Sequence, residues 1–178
     1  QWADVGMPLP KHTHLAFTSD RGVLCFVDVR RFGKWKLAGN WSANRGPDPV
    51  AEHCQFIEVV KQAAAGRNGD KPIHLALMDQ SLFNGIGNYL RSELIYRLDD
   101  LSPFATLREA IKKPQFFQLC HDIPLIAYKL GGGQLKDWKS PTGEDPQSFR
   151  DFIKCYGKMA SFKDKSGRTF WMDSKWIR

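Results

Sequence analysis

A pair of glycines two residues apart, Gly85 and Gly87, separates two apolar patterns of helical period. The first pattern includes residues 73–77, and the second runs through residues 90–98. Glycine accepts positive φ and lets a foreign backbone come close, so this spacing predicts two helices that meet at a tight bend. Asn88 is placed to cap the second helix, and the free N–H groups of a helix start attract an anion. The glycine pair alone fits an ordinary helical corner equally well.

The length and composition indicate a globular protein. A chain of 178 residues with 42% apolar and 25% charged residues suits one or two domains. The sequence contains neither an apolar run of membrane-spanning length nor a recognisable signal peptide. We therefore expect a soluble, intracellular protein.

The cysteines are widely separated and never occur as Cys-x-x-Cys. They are Cys25, Cys54, Cys120 and Cys155. This spacing predicts four reduced and mostly buried thiols, with neither a zinc site nor a disulfide framework. We expect the protein to have no metal and no cofactor.

The net charge of +7 is unevenly distributed. Basic residues exceed acidic ones by four in residues 1–45 and by five in residues 129–178, whereas acidic residues exceed basic ones by two in residues 46–128. Two basic blocks are typical of a surface that binds a polyanion. The acidic middle can still contact phosphate through uncharged backbone amides.

Strand patterns occupy the two ends of the chain. Residues 15–18 and 23–27 flank a turn and predict a hairpin, with a third strand at about 34–37 and an irregular lead-in over residues 1–12. Three strands make a poor independent sheet, so we expect further strands or a partner. Residues 161–164 and 168–172 predict a second hairpin at the end of the chain.

Helical patterns fill the middle of the chain. They predict helices at about 51–65, 72–83, 88–98, 103–112, 115–130 and 148–156. Ser102 and Pro103 look like a helix start, with serine as the cap. The turn-rich residues 41–49 mark a domain boundary, and the predicted fold class is α+β.

Three further motifs carry candidate chemistry. The turn Asp28-Val-Arg-Arg-Phe-Gly33 places Arg30 beside Phe32, and an arginine with an aromatic wedge can fill the gap left by a flipped base. The same residues also suit an arginine pair at a strand end over a packed ring. His12 and His14 are two residues apart, so both rings lie on one strand face, and they are also typical of a polar protein surface. Arg168 lies at the tip of the second predicted hairpin, where it could equally be an ordinary surface residue.

The segment Leu77-Met-Asp-Gln-Ser-Leu-Phe-Asn-Gly-Ile-Gly-Asn-Tyr-Leu-Arg-Ser-Glu-Leu-Ile-Tyr96 closely resembles the helix-two-turns-helix signature of the formamidopyrimidine-DNA glycosylase and endonuclease VIII family. The type it resembles most is the animal endonuclease VIII-like enzyme with a zincless finger. The resemblance implies the end of an N-terminal β-sandwich at 1–45, a helix-two-turns-helix domain at 50–156, and a finger hairpin at 157–178. A finger without cysteines must then hold its shape by packing alone, through Phe162, Phe170 and Trp171.

The family resemblance also implies a function. Its members are base-excision-repair DNA glycosylases and AP lyases, which flip out oxidised bases, remove them and nick the abasic strand by β,δ-elimination. We therefore expect a monomeric nuclear protein whose partner is double-stranded DNA containing oxidised bases or abasic sites, with no membrane association.

The resemblance assigns roles to individual residues. It implies that His12 contacts a phosphate, that Arg30 faces the orphaned base and that Phe32 is the wedge. Arg168 would grip the phosphate beside the lesion and assist δ-elimination. The remaining DNA-binding residues are Gly85, Gly87 and Asn88.

The sequence departs from the family pattern in two places. Residues 131–139 occupy the position of the loop over the flipped base, but Gly133 stands where the animal enzymes carry Lys or Arg, so lesion preference cannot be transferred. Family members start with Pro-Glu, and the proline amine is the nucleophile. This chain starts Gln-Trp-Ala, so we expect an inactive fragment of such an enzyme.

Two alternatives remain at this stage. The chain could be a non-catalytic module that binds damaged or bent DNA. It could instead be an RNA-binding protein with a similar helical module, although a minor-groove wedge has little use in an A-form duplex.

Overall fold

The computed structural model describes residues 1–29, 31, 33–37, 39–130 and 146–177, with only the backbone for residues 146 and 147. The chain divides into two compact units, Gln1–Trp41 and Ser42–Arg178. Helices and two small antiparallel sheets make up the regular structure of the described residues. The α+β fold class is confirmed.

The first unit contains a three-stranded antiparallel sheet. Its strands are β1 (Trp2–Ala3), β2 (Thr13–Ser19) and β3 (Gly22–Val27), in the order β1-β3-β2. The predicted hairpin is confirmed, because β2 pairs with β3 through a tight turn in which the Ser19 hydroxyl donates to the Gly22 carbonyl at 3.1 Å.

The predicted third strand is wrong. Residues 34–37 form no strand, and the edge of β3 is paired instead with the residues predicted as an irregular lead-in. The N–H groups of a strand edge need partners wherever these lie in the sequence, and the Cys25 N–H donates to the Gln1 carbonyl at 2.7 Å. One face of this sheet exposes an apolar row across all three strands, formed by Trp2, Leu24 and Phe17.

The second unit is helical and ends in a hairpin. Its helices are α1 (His53–Ala65), α2 (Ile73–Ala76), α3 (Asn88–Arg97), α4 (Leu107–Ala110), α5 (Phe116–Lys129) and α6 (Pro146–Phe152). Short 3-10 turns cover Arg67–Asp70 and Ser174–Trp176. The hairpin consists of β4 (Ala160–Lys163) and β5 (Thr169–Met172), close to the predicted positions.

Two helices are shorter than their patterns predicted. The helix expected at 72–83 is a single turn, followed by a bend in which the Asp79 carboxylate accepts from the Ser81 N–H and hydroxyl. The helix expected at 103–112, with Ser102 as its cap, starts instead at Leu107. Its cap is Thr106, which forms a capping box with Glu109. Thr106 and Glu109 satisfy two backbone donors together, whereas a serine cap satisfies one.

The hairpin shares the core of the helices. Phe170 and Met172 of β5 are buried in one apolar cluster with residues such as Phe56 and Leu94. Helix α3 lies at the centre of this cluster, and every residue from Leu90 to Ile95 is buried, including two charged ones. Helix α3 is therefore the rigid element against which the hairpin is placed.

Candidate nucleic-acid interface

The predicted bend lies between α2 and α3 and depends on Gly85. Gly85 has a φ of +86°, a conformation that side-chain-bearing residues rarely adopt. The Gln80 side chain bridges the bend, because it accepts from the Gly85 N–H at 3.0 Å and donates to the Ile86 carbonyl at 2.9 Å. Gly87 has an extended backbone that any residue can adopt. The backbone conformation therefore favours glycine at position 85 and not at position 87.

Asn88 does not cap α3, and that prediction is wrong. The cap is Gly87, without a side-chain hydrogen bond, and Asn88 is the first helical residue. Its amide Nδ2 instead donates to the Thr169 carbonyl on β5 at 2.8 Å, and its Oδ1 accepts from Arg91. The hairpin brings the Thr169 carbonyl to the helix start, and the Asn88 side chain binds this carbonyl instead of capping its own helix.

The backbone N–H groups at the start of α3 remain available. The first backbone bond of the helix runs from the Arg91 N–H to the Gly87 carbonyl at 2.9 Å. Within the part of the chain that the structure describes, the N–H groups of residues 87–90 have no hydrogen-bond acceptor. The first turn contains no acidic residue, so the partial positive charge of the helix start is not neutralised there. These N–H groups can accept an anion.

Arg168 lies on the hairpin tip next to this helix start. Its side chain is exposed, and Nη1 donates to the Ser166 hydroxyl at 3.2 Å. Its neighbour Thr169 provides the carbonyl that binds Asn88. The structure therefore brings together four of the predicted site residues, namely Gly85, Gly87, Asn88 and Arg168.

A buried ion pair lies beneath the hairpin tip. Nη1 of Arg91 donates to Oδ2 of Asp164 at 2.8 Å, and both side chains are completely buried. Burial opposes ionisation of Asp164, but hydrogen bonds from Ser166 and Arg91 and from the Arg168 N–H outweigh it, and the pKa of this carboxyl lies below its usual range. The expectation that packing alone holds the finger is wrong.

Phe162, Phe170 and Trp171 do contribute packing. Phe170 is fully buried, while Phe162 and Trp171 are half-buried. The ring of His74 packs against Phe162 and Phe170, and burial lowers the pKa of this histidine. The hairpin thus combines an aromatic core with a buried ion pair.

Glu93 fixes the chain that enters the hairpin. Its buried carboxylate accepts from the backbone N–H groups of residues 154, 155 and 156 at 2.8 to 3.0 Å. Arg97, one turn further along α3, donates to the same carboxylate at 2.5 Å and to the Phe152 carbonyl at 2.8 Å. Sequence analysis missed Arg91, Glu93, Arg97 and Asp164. For the three residues of α3, the available signal was a set of charged side chains inside an otherwise apolar helix pattern.

The other predicted residues belong to the first unit or lie outside the described residues. His12 is exposed in the turn before β2, in the first unit, with a φ of +66°. Arg30, Phe32 and the loop at 131–139 lie outside the described residues. In the same unit, the Asp28 carboxylate accepts from the Gly33 N–H at 2.5 Å.

The described residues form no group of three or more His, Cys, Asp or Glu side chains suited to a metal ion. All four cysteines are free thiols; Cys25, Cys120 and Cys155 are buried, and Cys54 is exposed. Among the helices that the structure describes, none is long and apolar enough to cross a membrane.

These observations define a helix-bend-helix module whose second helix is joined to a hairpin with an exposed arginine. Endonuclease 8-like 1 of Homo sapiens is 40% identical over 191 aligned positions, which cover 92% of this chain and 48% of that protein. Formamidopyrimidine-DNA glycosylase of Paracoccus denitrificans is 31% identical over 159 positions, which cover 84% of this chain and 54% of the relative.

A solved structure shares the whole fold. The Lactococcus lactis Fpg (MutM) protein, in complex with DNA containing N7-benzyl-Fapy-dG, superposes with a TM-score of 0.68 at 25% identity. The match covers 100% of this chain and 70% of that chain. No family model matches the sequence.

The chain belongs to the formamidopyrimidine-DNA glycosylase and endonuclease VIII family. It spans about half the length of the curated relatives it matches.

Proposed function

We propose that this chain is the DNA-binding part of a base-excision-repair DNA glycosylase and AP lyase. The whole protein removes oxidised bases from double-stranded DNA in the nucleus and nicks the abasic strand by β,δ-elimination. Family membership supports this function, as do relatives named as an endonuclease and a DNA glycosylase. A solved relative bound to DNA with a modified base supports the substrate class.

One contact carries the proposal, the hydrogen bond from Asn88 to the Thr169 carbonyl. It joins the first residue of α3 to the residue that follows Arg168. This bond supports a surface with two kinds of phosphate-binding group, the N–H groups at the start of α3 and the guanidinium of Arg168. A helix start binds phosphate through backbone donors and its dipole, and arginine binds it through paired, charge-assisted hydrogen bonds. Two such groups at one place suit consecutive phosphates of a single DNA strand.

The first unit supplies the remaining contacts in this proposal. His12 contacts a further phosphate, Arg30 faces the base left without a partner, and Phe32 fills the gap in the stack. A wedge of this kind reduces the cost of flipping a nucleotide, which is a few kcal/mol.

The binding part of the proposal is tested by the affinity of the 178-residue chain for a duplex with a central tetrahydrofuran abasic analogue. We expect Arg168→Ala to weaken binding and to reduce the slope of log K against log salt by about one. Arg67→Ala is the matched control, because Arg67 is an exposed arginine in a 3-10 turn that packs near α1 and α4. An unchanged slope in Arg168→Ala would show that Arg168 does not contact a DNA phosphate.

The catalytic part is tested on the whole protein with borohydride and an abasic duplex. A trapped covalent adduct, with nicked product in its absence, is the result expected of a glycosylase and lyase. Tight binding to the same duplex without any adduct would identify the non-catalytic binding module instead.

A further inference from the structure

The tip of the hairpin is organised by one carboxylate, that of Asp164. Its Oδ1 accepts from the N–H groups of Ser166 and Arg168 at 2.9 and 3.0 Å, and from the Ser166 hydroxyl at 2.6 Å. The Asp164 N–H donates in turn to the Arg168 carbonyl at 2.9 Å. Arg168 is therefore held by Asp164 at both its backbone donor and its backbone acceptor.

The other oxygen of this carboxylate is held from the helix side by Arg91. Besides Asp164, the Arg91 guanidinium donates to the His74 carbonyl at 2.8 Å and to Oδ1 of Asn88. It also lies over the ring of Phe170, 4.8 Å from the ring centroid. Arg91 thus connects α2, the start of α3, the hairpin tip just after β4, and β5.

A buried ion pair joins two elements only at a large cost in desolvation free energy. The desolvation of two charges is offset only when the remaining hydrogen-bonding positions are also used, and apolar side chains of similar size often stabilise a fold as well or better. A role in stability alone therefore does not require these two residues. The Asp164 acceptor, by contrast, is required to fix the backbone that carries Arg168.

We propose that Arg91 and Asp164 are positioning residues for Arg168. They hold the hairpin tip so that the Arg168 guanidinium and the N–H groups at the start of α3 meet phosphates of the same DNA strand in a fixed register. This inference rests on the proposed function. The pair holds the hairpin tip to α3 by charge and hydrogen bonding.

The first test is a double-mutant cycle on affinity for the tetrahydrofuran duplex. Arg168→Ala should weaken binding about tenfold or more, because hydrogen bonds to charged groups have that strength. Asp164→Asn should cause a comparable loss and should also reduce the salt slope by about one, although Arg168 is still present. In the Arg168→Ala background, Asp164→Asn should change the affinity less than about twofold.

The second test separates positioning from stability. The double variant Arg91→Met, Asp164→Leu replaces the pair with apolar side chains, and its resistance to unfolding should equal or exceed that of the Asp164→Asn variant. Its DNA affinity and salt slope should remain as low as those of Arg168→Ala. Arg108→Met, which removes an exposed arginine paired with Asp70, is the matched control and should bind within about twofold of the unchanged chain.

The outcomes are distinguishable. If Arg168→Ala leaves both affinity and slope unchanged, the proposed grip itself is wrong, and the inference is wrong with it. If Arg168→Ala weakens binding but the effect of Asp164→Asn adds to it in full, the positioning role is overturned and the proposed function stands. Full DNA affinity in the Arg91→Met, Asp164→Leu variant would also overturn the positioning role, because it would show that the pair contributes only to the fold. Should that variant fail to fold, the cycle with Asp164→Asn decides alone.

Discussion

The side-chain amide of Asn88 lies 2.8 Å from the carbonyl oxygen of Thr169, a residue 81 positions further along the chain. This bond joins the first residue of α3 to the first residue of β5. It replaces the local capping bond that asparagine often makes at a helix start. The bond brings the start of α3, which follows the bend at Gly85, next to the residue that follows Arg168.

We expect Asn88→Ala to loosen the hairpin without unfolding the helices. The change leaves the Thr169 carbonyl and one Arg91 donor without their partner, at a cost of about 1 to 3 kcal/mol. Relative to the unchanged chain, hydrogen exchange in the variant should accelerate more for amides of β4 and β5 than for amides of α1 or α5. Asn68→Ala, at an exposed position in the Arg67–Asp70 turn, is the control. Equal protection of the hairpin in both variants would contradict the link.

The two glycines of the bend should respond differently to alanine. A Cβ would meet no atom within 4 Å at either position, so steric clash plays no part. Gly85→Ala should destabilise the protein by about 1 to 2 kcal/mol because of its positive φ. Gly87→Ala should change the free energy of unfolding by less than about 1 kcal/mol, yet weaken DNA binding, because the methyl group lies where a phosphate would approach. Full affinity in folded Gly87→Ala would remove Gly87 from the interface.

Acid should weaken the hairpin through Asp164. The pKa of this carboxyl is lower in the folded than in the unfolded chain, so its contribution to stability is present above the unfolded pKa of about 4. It is lost as the pH falls further toward the folded value. The difference in free energy of unfolding between the unchanged chain and Asp164→Asn should therefore shrink below about pH 4. A difference that stays constant below about pH 4 would contradict this role of Asp164.

Thiol reactivity should separate the four cysteines. Only Cys54 is exposed, so a thiol reagent at neutral pH should label one residue quickly in the folded protein and four after denaturation. Burial and the nearby charge of Glu93 raise the pKa of Cys155 to about 12, which keeps this thiol protonated and unreactive. The Cys54→Ser variant should show no rapid labelling, and early modification of Cys155 would indicate that the chain before the hairpin is open.

Much of the local structure could be predicted from the sequence. Both hairpins follow from alternating apolar residues around turn residues, and α1, α3 and α5 follow from apolar stripes with helical period. The bend at Gly85 follows from the one residue type that accepts its positive φ without strain. In each case, the cause lies within a few residues of its effect.

Where a distant segment competes with a local preference, the sequence pattern was misleading. The third strand was expected at residues 34–37, but β3 is paired with Trp2–Ala3 at the other end of the unit. Asn88 was expected to cap its own helix, but a carbonyl from the hairpin took its amide. Local propensity is worth a few tenths of a kcal/mol per residue, and one tertiary hydrogen bond in a favourable position exceeds it.

The family, the bend and the two hairpins could be predicted because each is specified by residues that are neighbours in the sequence. What holds Arg168 in place depends on contacts between residues far apart in the chain. Arg91 and Asp164 are 73 residues apart, and Glu93 lies 61 residues before the first backbone N–H group that it binds. A chain with 26 basic and 19 acidic residues offers many possible pairs. The packed core selects among them, because only a few charged side chains are buried among the described residues, and each of those must find a partner.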